Sequence, residues 1–161
     1  LQYFDPELQE SYVPYVVETS IGLDRMFLAI FSNALQEESL EDGSSRTVLR
    51  IPPVLAPVKA AILPLVKKDG LPELANDILE ELRWEFMVQY DEKDAVGRRY
   101  RRQDAAGTPF CITVDHQSLE DRTVTLRYRD TMEQRRIPIA SLSAEIHEEV
   151  DMKQWLKKAR V

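Results

Sequence analysis

Leu23, Met26, Phe27, Ile30, Phe31, Ala34 and Leu35 recur at three- and four-residue steps, the spacing that gathers side chains onto one face of an α-helix. The pattern predicts a helix with one broad apolar face, ending in the polar run Gln36-Glu37-Glu38. Ahead of it, Asp5-Pro6-Glu7 has the composition of a turn. Tyr12-Val13-Pro14-Tyr15-Val16-Val17 is rich in strand-favouring residues, with Pro14 tolerable at an edge or bulge. Behind the helix, residues 39–46 are polar around Asp42-Gly43-Ser44-Ser45, which reads as a linker and sets a domain boundary.

Beyond that boundary, strand and helix patterns alternate. Ala60-Ala61-Ile62-Leu63-Pro64-Leu65 is a short apolar run hemmed in by Pro52, Pro53, Pro57 and Pro64, which would break helical bonding, so it reads as a buried strand. Leu71, Leu74, Ala75, Ile78 and Leu82 mark one side of an amphipathic helix, and Glu73, Asp77, Glu80 and Glu81 the other. Phe86 to Tyr90 reads as a second strand, residues 95–106 as an arginine-bearing helix closed by Gly107, and Pro109 to Val114 as a third strand. A period of two follows: Val124, Leu126 and Tyr128 point one way, Thr123, Thr125, Arg127 and Arg129 the other. Asp130-Thr131-Met132-Glu133 turns this strand into Gln134 to Ile139 as a hairpin, and a helical region runs from Ser141 to Ala159, broken near Asp151. The order implies an α/β fold, a mixed β-sheet covered by helices, preceded by a strand-helix piece.

The formal charge of −7 speaks against nucleic acid until its distribution is considered. Between Gly97 and Arg136 stand nine arginines (98, 99, 101, 102, 122, 127, 129, 135 and 136) against six acidic residues. An arginine-rich centre in an acidic frame suits a protein that meets phosphate on one face. It suits salt-bridged surface helices as well, and charge alone leaves both open. At 161 residues, with 43% hydrophobic and 30% charged, the chain can bury a core without disulfide or metal. Cys111, alone in an apolar run, reads as a core residue of a reducing compartment. His116 and His147 are isolated, and no CxxC or Cys/His cluster is present, so no metal is expected. No apolar stretch is long enough for a membrane helix and no signal-peptide pattern opens the chain, which reads as cytoplasmic with no membrane partner.

The densest chemical signal is Val17-Glu18-Thr19-Ser20-Ile21-Gly22-Leu23-Asp24-Arg25, where the expected strand meets the expected helix. Glycine there lets the backbone approach a ligand, and Arg25 offers a planar fork suited to phosphate oxygens. Glu18 can take an ammonium group and Ser20 can add a hydrogen bond. The same residues also make an ordinary capped turn between strand and helix. The run Glu-Thr-Ser-Ile-Gly-Leu-Asp-Arg before an apolar helix resembles the third signature motif of class II aminoacyl-tRNA synthetases. Its form Glu-x-Ser-x-Gly-x-x-Arg, preceded by Tyr12 to Val17, is similar to the glycyl-specific version. Leu55 to Lys68, and Gly97-Arg98-Arg99-Tyr100-Arg101-Arg102-Gln103-Asp104 with Gly107-Thr108-Pro109-Phe110, resemble the anticodon-binding domain of homodimeric glycyl-tRNA synthetases.

The resemblance implies that residues 1–38 end a class II catalytic domain, 39–46 are a linker and 47–161 form a class IIa anticodon-binding domain. It implies that Gly22 and Arg25 belong to an ATP site, Arg25 on the phosphates. Glu18 would recognise the amino group of glycine and Ser20 would help to position it. Thr19 stands where the family usually has proline, a departure that leaves the ligands in place. The full enzyme would use ATP with Mg2+ to join glycine to tRNA-Gly, as a homodimer. Leu1 is not a natural start and the first two class II motifs are absent, so the chain is expected to be a fragment, inactive alone and holding no cofactor. Its expected partner is the tRNA-Gly anticodon loop. Arg127 and Arg129, expected to be exposed on the alternating strand, would read base edges or phosphates. Likeness to the hairpin of related class IIa enzymes adds Glu120 beside Arg129, and Arg98 and Arg101 would follow the anticodon stem. The alternatives are a non-catalytic synthetase-like accessory protein, a protein-interaction module, or another class IIa synthetase.

Overall fold

A computed structural model of the chain describes residues 2–40 and 43–158. Its elements are β1 (Tyr3–Asp5), β2 (Glu10–Tyr12), α1 (Leu23–Ala34), β3 (Leu35–Ser39), β4 (Ser45–Leu49), β5 (Ala60–Pro64), α2 (Leu71–Leu82), β6 (Val88–Tyr90), α3 (Val96–Ala106), β7 (Phe110–Val114), α4 (His116–Asp121), β8 (Thr123–Tyr128), β9 (Gln134–Pro138), a 3₁₀ turn (Ile139–Ser141), α5 (Leu142–Val150) and α6 (Met152–Lys158). The centre is a five-stranded mixed sheet in the order β6-β5-β7-β8-β9. β5 runs parallel to β6 and β7, while β7-β8 and β8-β9 are antiparallel.

Register assigns each face its covering. Phe110, Ile112, Val124, Leu126 and Ile137 share one face with Ala60 and Ile62, and pack against α2 and α5 in the main core. All five apolar positions predicted for α2 are buried there. Gly70 opens that helix at φ 80°, and Pro72 sits in its first turn, where no backbone N–H is needed. The opposite face carries Ala61, Leu63 and Cys111 under Val96 and Tyr100 of α3. Burial pushes the Cys111 thiol up to about 12, so it stays neutral. The proline-rich approach to β5 is organised by Lys59, whose ammonium donates to the carbonyls of Pro53, Val54 and Ala56 at 2.8–2.9 Å. Gly107 closes α3 at φ 81°, and a Cβ there would lie 3.0 Å from Leu49 and 3.2 Å from Ile51. The final helix breaks at Asp151, whose carboxylate caps α6 by accepting from the Lys153 and Gln154 backbone N–H groups. Ala159 lies outside the described residues.

Four expectations are corrected. Of the strand expected at 12–17, only Tyr12 belongs to one; Val13 to Val17 are exposed and pair with no strand among the described residues. Strand-favouring side chains do not hold an unpaired segment extended, and Pro14 offers no N–H. Residues 36–38 belong to β3, which pairs antiparallel with β4 from Leu35↔Leu49 to Ser39↔Ser45. Ser39, Ser45 and Arg46 of the expected linker therefore belong to paired strands, and Glu41 and Asp42 lie outside the described residues. Residues 116–121 form α4, capped reciprocally by Asp115 and Ser118, a helix absent from the sequence expectation. The exposure expected of Arg127 and Arg129 is corrected below.

Candidate nucleic-acid interface

α3 places its arginines on different sides. Arg98 is exposed and Arg101 half-buried, and neither guanidinium makes a hydrogen bond or ion pair among the described residues. Arg99 is buried and donates to the carbonyls of Pro64, Asp91 and Leu65, tying the ends of β5 and β6 together. Arg102 reaches back to Asp91 and Asp94 at 2.8 Å each. Burial acts most strongly and raises the Asp91 carboxyl, but the bond from Arg102, the Lys93 backbone N–H and the nearby arginine charges together hold the group below its usual range.

Arg127 and Arg129 do lie on the face opposite Leu126 and Tyr128, as the period of two requires. They are nevertheless buried, at 4% and 2% exposure, because α3 and β4 cover that face. Arg127 makes two bonds to the carboxylate of Asp104, at 2.7 and 3.0 Å, and its guanidinium lies 4.8 Å from the centre of the Tyr100 ring. Burial works against its charge, yet Asp104 keeps it protonated more firmly than usual. Arg129 donates to the carbonyls of Gly107 and Ile51 at 2.8 Å and pairs with Asp130 at 2.7 Å. Both arginines are thus held by acidic and carbonyl partners within the protein, and Arg127 also lines the cleft described next. On the hairpin, Arg135 pairs with Glu145, and Arg136 with Asp115. Six of the nine arginines are thus engaged within the protein, and Arg98, Arg101 and Arg122 remain without such a bond among the described residues.

Between α3 and the β8-β9 turn lies an open cleft of about 540 Å3, lined by Arg98, Tyr100, Arg101, Arg127, Met132 and Gln134 with Ala95 and Gly97. Arg127 stands opposite Gln134 in the sheet, and Tyr100 is fixed by a 2.6 Å hydrogen bond between its hydroxyl and that of Thr113. The guanidiniums of Arg98 and Arg101, the amide of Gln134 and the thioether of Met132 together can hold phosphate and contact a base. Sequence reasoning found the arginines and missed Tyr100, Met132 and Gln134. The hairpin register, once inferred, was the available signal for Gln134. Glu120 sits exposed in the last turn of α4, not in a hairpin.

Glu18, Ser20, Gly22 and Arg25 lie along the exposed approach to α1 and its first turn. Gly22 is the N-cap, and its carbonyl accepts from Met26 at 3.1 Å. The donor types suit glycine and phosphate, and all four residues stand exposed among the described residues.

The model of the HGTP anticodon-binding family, described as "Anticodon binding domain", matches residues 59–149. The chain belongs to that family. The matched anticodon-binding domain runs from the approach to β5 through nearly all of α5 and contains the whole cleft; α1 and the hairpin β3-β4 precede it. Curated relatives include glycine--tRNA ligases of Borrelia hermsii, 51% identical over 92% of this chain and 34% of that protein, and of Geobacillus thermodenitrificans, 56% identical over 88% and 30%. The chain spans about a third of the length of these relatives. Among solved structures, prolyl-tRNA synthetase from Cryptosporidium parvum matches with TM-score 0.59 at 21% identity, over 77% of this chain and 33% of that one. The RNA-binding domain of threonyl-tRNA synthetase from the same organism matches at 0.57 and 23% identity, over 62% and 25%. These two share the fold of the anticodon-binding domain.

Proposed function

We propose that this chain is the anticodon-reading part of a glycyl-tRNA synthetase, and that it meets the anticodon arm of tRNA-Gly at the cleft beside α3. The observation that carries this reading is the family match over residues 59–149 together with glycine--tRNA ligases more than half identical across nearly the whole chain. Arg98 and Arg101 supply the cations that the fold has not used elsewhere, and Gln134 supplies an amide able to pair with a base edge. Exposed Glu120 is a further base contact under this reading, whereas Arg127 and Arg129 hold the cleft in shape. The whole enzyme uses ATP with Mg2+ to join glycine to tRNA-Gly, acting as a homodimer, with Glu18 and Ser20 toward glycine and Gly22 and Arg25 toward ATP.

The test is a titration against a tRNA-Gly anticodon stem-loop and a matched loop with altered anticodon bases, at two salt concentrations. The expected result is preference for the glycine anticodon, weakened by Arg98→Ala and Arg101→Ala. Equal, salt-sensitive binding to both loops would leave only a phosphate-binding surface, and no binding at low salt would reject the reader.

A further inference from the structure

The cleft is tied to the region ahead of it by buried ions. Asp104 is fully buried on α3, a place where a carboxylate persists only if its oxygens are fully engaged. One oxygen takes Arg127 at 2.7 Å; the other takes Arg127 at 3.0 Å and Arg46 of β4 at 3.1 Å. Arg46 is itself 2% exposed and continues to Glu38 of β3 at 2.7 Å and to the carbonyl of Arg129 at 3.0 Å. Glu38 also receives Arg50, which goes on to the carbonyl and carboxylate of Asp130, the partner of Arg129. The network therefore closes on the carbonyl of Arg129 and joins the hairpin to the residues that follow β8.

The hairpin also buries Val48 and sets Leu49 against Gly107 at the end of α3, but little else fixes α1 against the sheet. The apolar contact shared by α1 and the hairpin is the small cluster of Ala34, Leu49, Ile51 and Ala56, while Leu23, Phe27 and Leu28 of α1 are more than 60% exposed. Apolar packing tolerates sliding, whereas charge-assisted bonds of fixed geometry set a register. At its other end the network terminates on Arg127, which lines the cleft and lies over Tyr100.

We propose that Asp104 is a positioning residue that locks the cleft and α1 into one register through Arg127 on one side and the Arg46–Glu38 pair on the other. Disturbing the hairpin end then alters the cleft, although Glu38 does not line it. The RNA consequence rests on the function proposed above; the register does not.

The test uses this chain with spin labels at Ser32→Cys on α1 and Asp77→Cys on α2, with Cys111 buried and shielded from labelling. The parent is expected to give one narrow distance distribution. Glu38→Gln and Asp104→Asn each broaden it about twofold, with cooperative unfolding retained at least in Glu38→Gln, while Arg98→Ala leaves it unchanged. In stem-loop binding, Glu38→Gln costs about threefold, and the double variant with Asp104→Asn binds no more weakly than Asp104→Asn alone, as one shared link requires. Unchanged distances in Glu38→Gln, or additive losses of binding, would overturn the lock. If the parent binds no stem-loop, the reader fails and the distances alone decide the register.

Discussion

α1 and α2 are both twelve-residue helices with an apolar face at the same three- and four-residue spacing. α2 buries five residues of that face against the sheet, whereas α1 buries Ala34 alone. Periodicity therefore states that a helix has a face to cover, and not that this chain covers it. The main apolar core of the described structure lies between α2, α5 and the one sheet face that they share.

The comparison can be broken first by cutting into the sheet. Phe110→Ala, under α2, should destabilise by about 3–5 kcal/mol in urea unfolding. Next in size, Asp104→Ala should cost about 3 kcal/mol or more, because it leaves Arg46 and Arg127 buried without their shared partner. Arg98→Ala should leave unfolding within about 0.5 kcal/mol of the parent. In stem-loop titrations that same change should flatten the slope of log K against log salt by about 0.7.

Acid should act through Glu38, Asp91 and Asp115. Burial tends to raise each of these carboxyls, but arginine partners hold all three below their usual range in the folded protein. Their contribution is present above the unfolded carboxylate range and is lost as pH falls below about 4, through the folded values. Thermal midpoints should thus drop over that interval, and less steeply in Glu38→Gln. The smallest effect should come from Phe27→Ala on α1, within about 0.5 kcal/mol of the parent, since its ring is largely exposed. A loss of several kcal/mol there would overturn the contrast between the two helices.

Much of the sheet and its helices was legible because their periods are set by burial within this chain. The α2 face, the Gly107 cap, the β8-β9 hairpin and the break at Asp151 all follow from local pattern. The hairpin β3-β4 was not, since Gln36-Glu37-Glu38 and the serines around Gly43 carry no apolar alternation. Arg127 and Arg129 show the second limit. Alternation correctly set them opposite Leu126, but it could not say that α3 and β4 lie over that face, and arginine composition suggested water. For the site, the arginine helix was visible in sequence. Which of its members were spare depended on contacts such as Arg99 to the Pro64 carbonyl, made 35 residues apart.

The two edges of the central sheet govern how the chain behaves among its own copies. β6 offers only three residues to a newcomer, and β9 ends in Pro138, which has no N–H to offer there, after two long charged side chains. A further strand arriving at either side finds a short or repelling template, and growth into a ribbon is disfavoured. Crowding of this protein should accordingly not lead to fibres.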